Sequence, residues 1–87
     1  MKTYSAAVKV TLRKGILDVQ GKTVEQALHA IEFTAIERVR IGKFVEFDIT
    51  AESEQEAKIM AEDACRKLIA NPIMEDFSIT LSEREQI

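Results

Sequence analysis

The stretch that most constrains this chain is Val39-Arg40-Ile41-Gly42-Lys43-Phe44-Val45-Glu46-Phe47-Asp48-Ile49. Apolar and polar residues alternate on both sides of Gly42-Lys43, and two alternating runs split by a two-residue Gly-Lys break predict a tight β-hairpin. Before it lie one strand and one helix, and after it one helix and one strand. The chain thus reads βαββαβ around the turn, an α+β domain.

In chain order, Tyr4, Ala6, Val8, Val10 and Leu12 alternate with Ser5, Ala7, Lys9, Thr11 and Arg13, giving a first strand with one buried face. Residues 14–22 break the alternation with two glycines. The helix that follows starts either at Asp18 or at Thr23 with Gln26, both of which offer a capping side chain. Val24, Ala27, Leu28 and Ile31 mark its apolar face, and it should end near Glu32-Phe33. Ile36, Val39 and Ile41 then make strand two, and Val45, Phe47 and Ile49 the inner face of strand three, with Phe44, Glu46 and Asp48 outward. Ser53 with Glu56 is a capping box, followed by a stripe of Ala57, Met60, Ala61, Ala64, Cys65 and Leu68 that defines the second helix. Pro72 disfavours helical geometry at Asn71 and stops it. Phe77, Ile79 and Leu81 make strand four, and residues 82–87 form a polar tail expected to fray.

Two helices must cover the one apolar face of the sheet, which gives a two-layer, antiparallel-rich plait of the ferredoxin-like kind, one domain over residues 1–87. A right-handed crossover pairing strands one and two in parallel would leave strand three between them. The loop at 14–22, the Gly42-Lys43 turn and the loop at 70–75 then share one end of the sheet. That end gathers Ile16, Leu17, Val19, Ile73 and Met74, which read either as turn chemistry with core-capping side chains or as a contact surface.

At 87 residues the chain can bury only about 60% of its unfolded surface, and its edge strands carry unpaired backbone groups, so self-association is expected. The 12 basic and 15 acidic residues, net charge −3, give no footprint for nucleic acid. No apolar run approaches the roughly 20 residues of a membrane helix, and the N-terminus has no signal-peptide block, so a cytoplasmic protein is expected.

Catalytic chemistry is thin. The single Cys65 lies on a helical apolar stripe and reads as a core thiol; the single His29 reads as a solvated or rim residue. Glu54, Glu56, Glu62 and Asp63 form a solvated helix face, with Glu54–Lys58 and Glu62–Arg66 at ion-pair spacing, and no metal set exists. Arg13-Lys14-Gly15 invites comparison with the phosphate loop of acylphosphatases, whose glutamine-glycine-valine pattern is missing. An open-face single-strand RNA site would need aromatics beyond Phe44. A plait domain that senses small ligands through backbone groups stays open.

With these residues in place, the chain resembles the PurS family, the small subunits of phosphoribosylformylglycinamidine (FGAM) synthase. The blocks are Val10-Thr11-Leu12-Arg13-Lys14-Gly15-Ile16-Leu17-Asp18 with Gly21-Lys22, Ala27-Leu28-His29, Val39-Arg40-Ile41-Gly42-Lys43 with Glu46, Leu68-Ile69-Ala70-Asn71-Pro72-Ile73, and Glu75-Asp76-Phe77. Val19 departs from the proline usual after the aspartate, which leaves the helix start open. The resemblance implies a non-catalytic subunit of an ATP-dependent ligase in purine (IMP) biosynthesis, binding no cofactor itself while the complex uses ATP and magnesium. It implies a dimer or dimer of dimers that joins a synthetase subunit (PurL) to a glutaminase subunit (PurQ). The expected partner contacts are Lys14, Gly15, Ile16, Asp18, Arg40, Gly42, Lys43, Asn71, Pro72 and Ile73.

Overall fold

The computed structural model describes residues 1–84. In chain order the elements are β1 (Lys2–Leu12), α1 (Val19–Ala30), β2 (Gly42–Ala51), α2 (Glu54–Ala64) and β3 (Glu75–Glu83). The strands form one antiparallel sheet in the order β2-β1-β3. Opposing residues place Tyr4 beside Ile49, Ala6 between Phe47 and Leu81, Val8 between Val45 and Ile79, and Val10 beside Phe77. The period of two in all three strands therefore puts the large apolar side chains on one face, Phe44 alone standing on the other, where it is exposed beside Lys9. The other face carries Ser5, Asp48 and their like; Ser5 Oγ donates to Asp48 at 3.0 Å, and Arg84 pairs with the same carboxylate at 2.6 Å.

Helix α2 lies along the apolar face above β1 and touches all three strands. Ser53 caps it by accepting the Glu56 N–H at 3.1 Å. Its inward side is small: Ala57, Ala61 and Cys65 are fully buried against Tyr4, Ala6, Val8 and Val10. Small side chains let the helix approach closely, so the β1 row is sealed while Val45, Phe47, Ile79 and Leu81 on the flanking strands stay half-buried. After Ala64 the helix widens into a single π-helical turn, Cys65–Ile69, closed by the Ala70 N–H donating to the Cys65 carbonyl at 2.8 Å. The wider turn changes which residue faces inward. Leu68, expected on the buried stripe, is 87% exposed, and Ile69 packs on the core in its place. The chain then becomes extended at Ala70, one residue before Asn71, where Pro72 disfavours helical geometry.

The expected hairpin is absent, and the α+β plait is built on three strands. Gly42 does not turn the chain; it is the first residue of β2, opposite Thr11. The turn types that fit a two-residue hairpin need positive φ, and among the glycines of the described residues only Gly15 has it. What Gly42 provides is proximity: a Cβ there would stand 2.4 Å from the Val10 carbonyl oxygen. The segment expected as strand two pairs with no strand. It runs back along α1, where Val39 N–H donates to Glu25 at 3.1 Å, Ile41 N–H to Asp18 at 2.7 Å, and the His29 ring bonds the Ile36 carbonyl at 2.7 Å. Side chains of α1 satisfy a backbone that the alternation had assigned to a neighbouring strand, and the expected parallel pairing disappears with it.

Helix α1 is also displaced from its expected place. It makes no substantial contact with the sheet or with α2, and together with residues 31–41 it forms an arm at the open end of β1. Its C-terminus closes by the Glu32 N–H donating to the His29 carbonyl at 3.2 Å and the Phe33 N–H to Leu28 at 2.9 Å, with Glu32 at φ 78°. This is a Schellman closure with glutamate in the position where glycine is usual. Of the tail expected to fray, Ser82 and Glu83 pair with Ser5 and Tyr4 in β3, and residues 85–87 lie outside the described residues.

Candidate functional site

The shared end of the sheet is where the sequence concentrates its special residues, and the strand register explains why. Leu12 closes β1 opposite Glu75, the first residue of β3, and Thr11 lies opposite Gly42, the first of β2. The chain must therefore leave β1 and arrive at both edge strands at the same edge. Three loops meet there.

The first is Arg13 to Asp18. Gly15 at φ +93° makes the turn, in a conformation that a side chain would oppose, and the Ile16 N–H donates to the Arg13 carbonyl at 3.1 Å. Lys14 is exposed, Ile16 half-buried and Leu17 74% exposed. Asp18 caps α1, which decides between the two expected starts. One carboxylate oxygen accepts the Gly21 N–H at 2.8 Å and the other accepts Ile41 N–H at 2.7 Å. These two bonds, the first the stronger influence, hold its carboxyl below the usual range, helped by nearby Arg40 and opposed by partial burial.

The second segment is Arg40 to Lys43. The Arg40 guanidinium donates to the Leu12 carbonyl, tying the arm to the end of β1. Lys43 reaches Glu75 across the mouth of the sheet at 3.9 Å, an exposed and loose pair. The third is Ala70 to Glu75. Asn71 Oδ1 accepts the Ile73 N–H at 3.0 Å, a side-chain turn of the kind asparagine favours, while Glu75 caps the Asn71 N–H at 2.8 Å. The Arg13 guanidinium donates to the Pro72 carbonyl and pairs with Asp76 at 3.3 Å, and the Arg13 N–H donates to Met74 at 2.9 Å. Arg13 is thus engaged within the chain, which leaves the acylphosphatase comparison without a feature in its favour.

Eight of the ten expected contact residues lie on the connecting segments at this end, and Gly42 and Lys43 open β2 beside them. Asp18, Lys43 and Glu75 line one open hollow, and Arg13, Pro72 and Asp76 line a second beside it. Around them Leu17, Val19 (64%), Ile73 (80%) and Met74 (43%) expose apolar surface. Polar groups tied into turns with exposed apolar side chains among them are materials for binding. The described residues contain no His/Cys/Asp/Glu cluster able to hold a metal, and no helix long and apolar enough to cross a membrane. Three participants were not anticipated: Glu25, His29 as a backbone partner, and Gly21. They recur at four-residue spacing along one side of α1, a spacing that a solvated helix face shares, so the sequence carried no distinct signal for them.

The profile of the family PurS: Phosphoribosylformylglycinamidine (FGAM) synthase matches residues 5–83. The chain belongs to the PurS family. It is 35% identical to the PurS subunit of Bacillus subtilis over 92% of this chain and 94% of that one, and 33% identical to that of Methanocaldococcus jannaschii over 94% and 99%. The crystal structure of the M. jannaschii PurS superposes with a TM-score of 0.84 at 34% identity over 94% of this chain and 99% of that one. A chain of the PurLQS structure from Thermotoga maritima superposes with a TM-score of 0.87 at 26% identity, over 94% of this chain and all (100%) of that one. The similarity extends over nearly the full length, arm and sheet together.

Proposed function

We propose that this chain is the non-catalytic assembly subunit of FGAM synthase, joining the ATP-dependent synthetase subunit (PurL) to the glutaminase subunit (PurQ) in purine biosynthesis. The observation that carries the reading is the full-length likeness to a chain of the Thermotoga PurLQS structure, in a molecule whose loops offer anchoring groups in place of a catalytic set. The complex converts formylglycinamide ribonucleotide, ATP, glutamine and water to formylglycinamidine ribonucleotide, ADP, phosphate and glutamate. ATP and magnesium act on the synthetase subunit; this chain supplies attachment. The three-loop end, with Lys14, Gly15, Ile16, Asp18, Arg40, Gly42, Lys43, Asn71, Pro72 and Ile73, contributes partner contacts, its apolar side chains central and its charges at the rim. The chain works as a dimer or dimer of dimers in the cytoplasm.

The test separates ammonia supply from amide activation. Purified synthetase should make amidine from free ammonia with or without this chain, whereas glutamine-driven synthesis by synthetase plus glutaminase should require it. Glutamine-driven turnover at the same rate without the chain would overturn the proposal.

A further inference from the structure

The arm of α1 and residues 31–41 is attached to the sheet by two chain crossings, and the side chains of Asp18 and Arg40 bridge them. Asp18 belongs to the outgoing crossing and Ile41 to the returning one, and the 2.7 Å bond between them closes the base of the arm. Gly21 is buried at this junction. A Cβ on it would stand 2.3 Å from the Val39 carbonyl oxygen and 2.7 Å from the Asp18 carboxylate, so glycine is what lets the returning segment press on the first turn of α1. Beyond the junction Glu25 and His29 hold the same segment, making the arm a unit in itself. With α1 making no substantial contact with the sheet, its direction rests on the base: the Asp18 bond to Ile41 and the Arg40 bond to Leu12. Leu17 and Val19, the exposed apolar neighbours of Asp18, flank that base.

We propose that Asp18 is a positioning residue for assembly, its second carboxylate oxygen clasping the base of the arm so that the three-loop end meets its partner subunit in one orientation. The inference rests on the function proposed above. The two oxygens have separable tasks, because one caps α1 through Gly21 and the other binds Ile41. A serine in place of Asp18 keeps a good cap but has a single, shorter acceptor, so Asp18→Ser retains the helix start and loses the clasp. Ile41→Pro removes the donor from the other side and leaves Asp18 intact.

The experiment titrates each chain into synthetase plus glutaminase and reads the concentration for half-maximal glutamine-driven turnover together with the plateau rate. Amide exchange of the free chain is followed at Ile41, Gly21 and Ala57. If the clasp keeps the arm oriented and its loss leaves about a tenth of the molecules competent, half-saturation rises about tenfold for both variants while the plateau holds. In Asp18→Ser, exchange at Ile41 accelerates while Gly21 and Ala57 stay protected. Half-saturation equal to wild type, or unchanged Ile41 exchange in Asp18→Ser, would overturn the clasp alone. A wild-type chain without effect on turnover would defeat the functional reading, and the assembly half of this inference with it.

Discussion

Cys65 shows how one residue's surroundings decide its chemistry. Its side chain is fully buried with Val8, Val10 and Ala70 under the end of α2. Burial disfavours the thiolate and pushes the thiol pKa up, outweighing the pull of Arg66 beside it. Because the thiolate is the nucleophile, a thiol reagent at mildly alkaline pH should label the native chain slowly and the denatured chain fully. Rapid native labelling would mean that α2 does not seal β1. Asp18 is the opposite case, a carboxyl held ionised by two backbone donors. Its folded pKa lies below the unfolded value, so its contribution is present above the unfolded pKa, about 3.9 for an aspartate, and disappears as pH falls through the lowered folded value. Protection of the Ile41 amide should follow that curve in the wild type and show no such acid step in Asp18→Ser. An acid step of equal size in both would place the effect elsewhere.

At the scale of elements, the π-helical turn makes the sharpest claim. Leu68 fits the sequence stripe of α2 but is 87% exposed, so Leu68→Ala should change stability by less than about 0.5 kcal/mol. Truncating Val8 to alanine, which removes fully buried carbon under α2, should cost about 2 kcal/mol in chemical denaturation. A large loss at Leu68 would mean that α2 keeps a regular register to its end. The strands β1 and β3, the capped start of α2 and its proline stop were legible because each depends on local chemistry and a strict period. Residues 36–41 were misread for the same reason: alternation records that Val39 and Ile41 are half-buried and Arg40 exposed, but it does not record what buries them. Here the partner is α1, brought there by Asp18, Gly21 and Glu25, a long-range pairing with no signature in the segment itself. The clustering of the three loops survived the error. It depends only on β1 ending where the chain runs into β2 and β3, which holds with or without a hairpin.

The molecule as a whole is too extended for its length. Its radius of gyration is 16.8 Å and its extents are 52 × 33 × 15 Å, against about 12 Å expected for a compact chain of this size. The excess is the arm, whose Val24, Ile31, Phe33 and Ile36 are exposed, and the sheet margin is only half covered by a single helix. That much unpaired apolar surface on a small chain predicts association between copies. Light scattering at roughly tens of micromolar, where ordinary interfaces are filled, should give a mass of at least two chains; one chain's mass would contradict it. The proposed role is attachment of two different subunits, and sedimentation of the purified synthetase and glutaminase reads that attachment. The two should travel as separate boundaries when mixed alone and as one faster boundary when this chain is added with substrate, ATP, magnesium and glutamine present. Separate boundaries in both mixtures, or a common boundary without the chain, would mean that this chain does not join the two subunits.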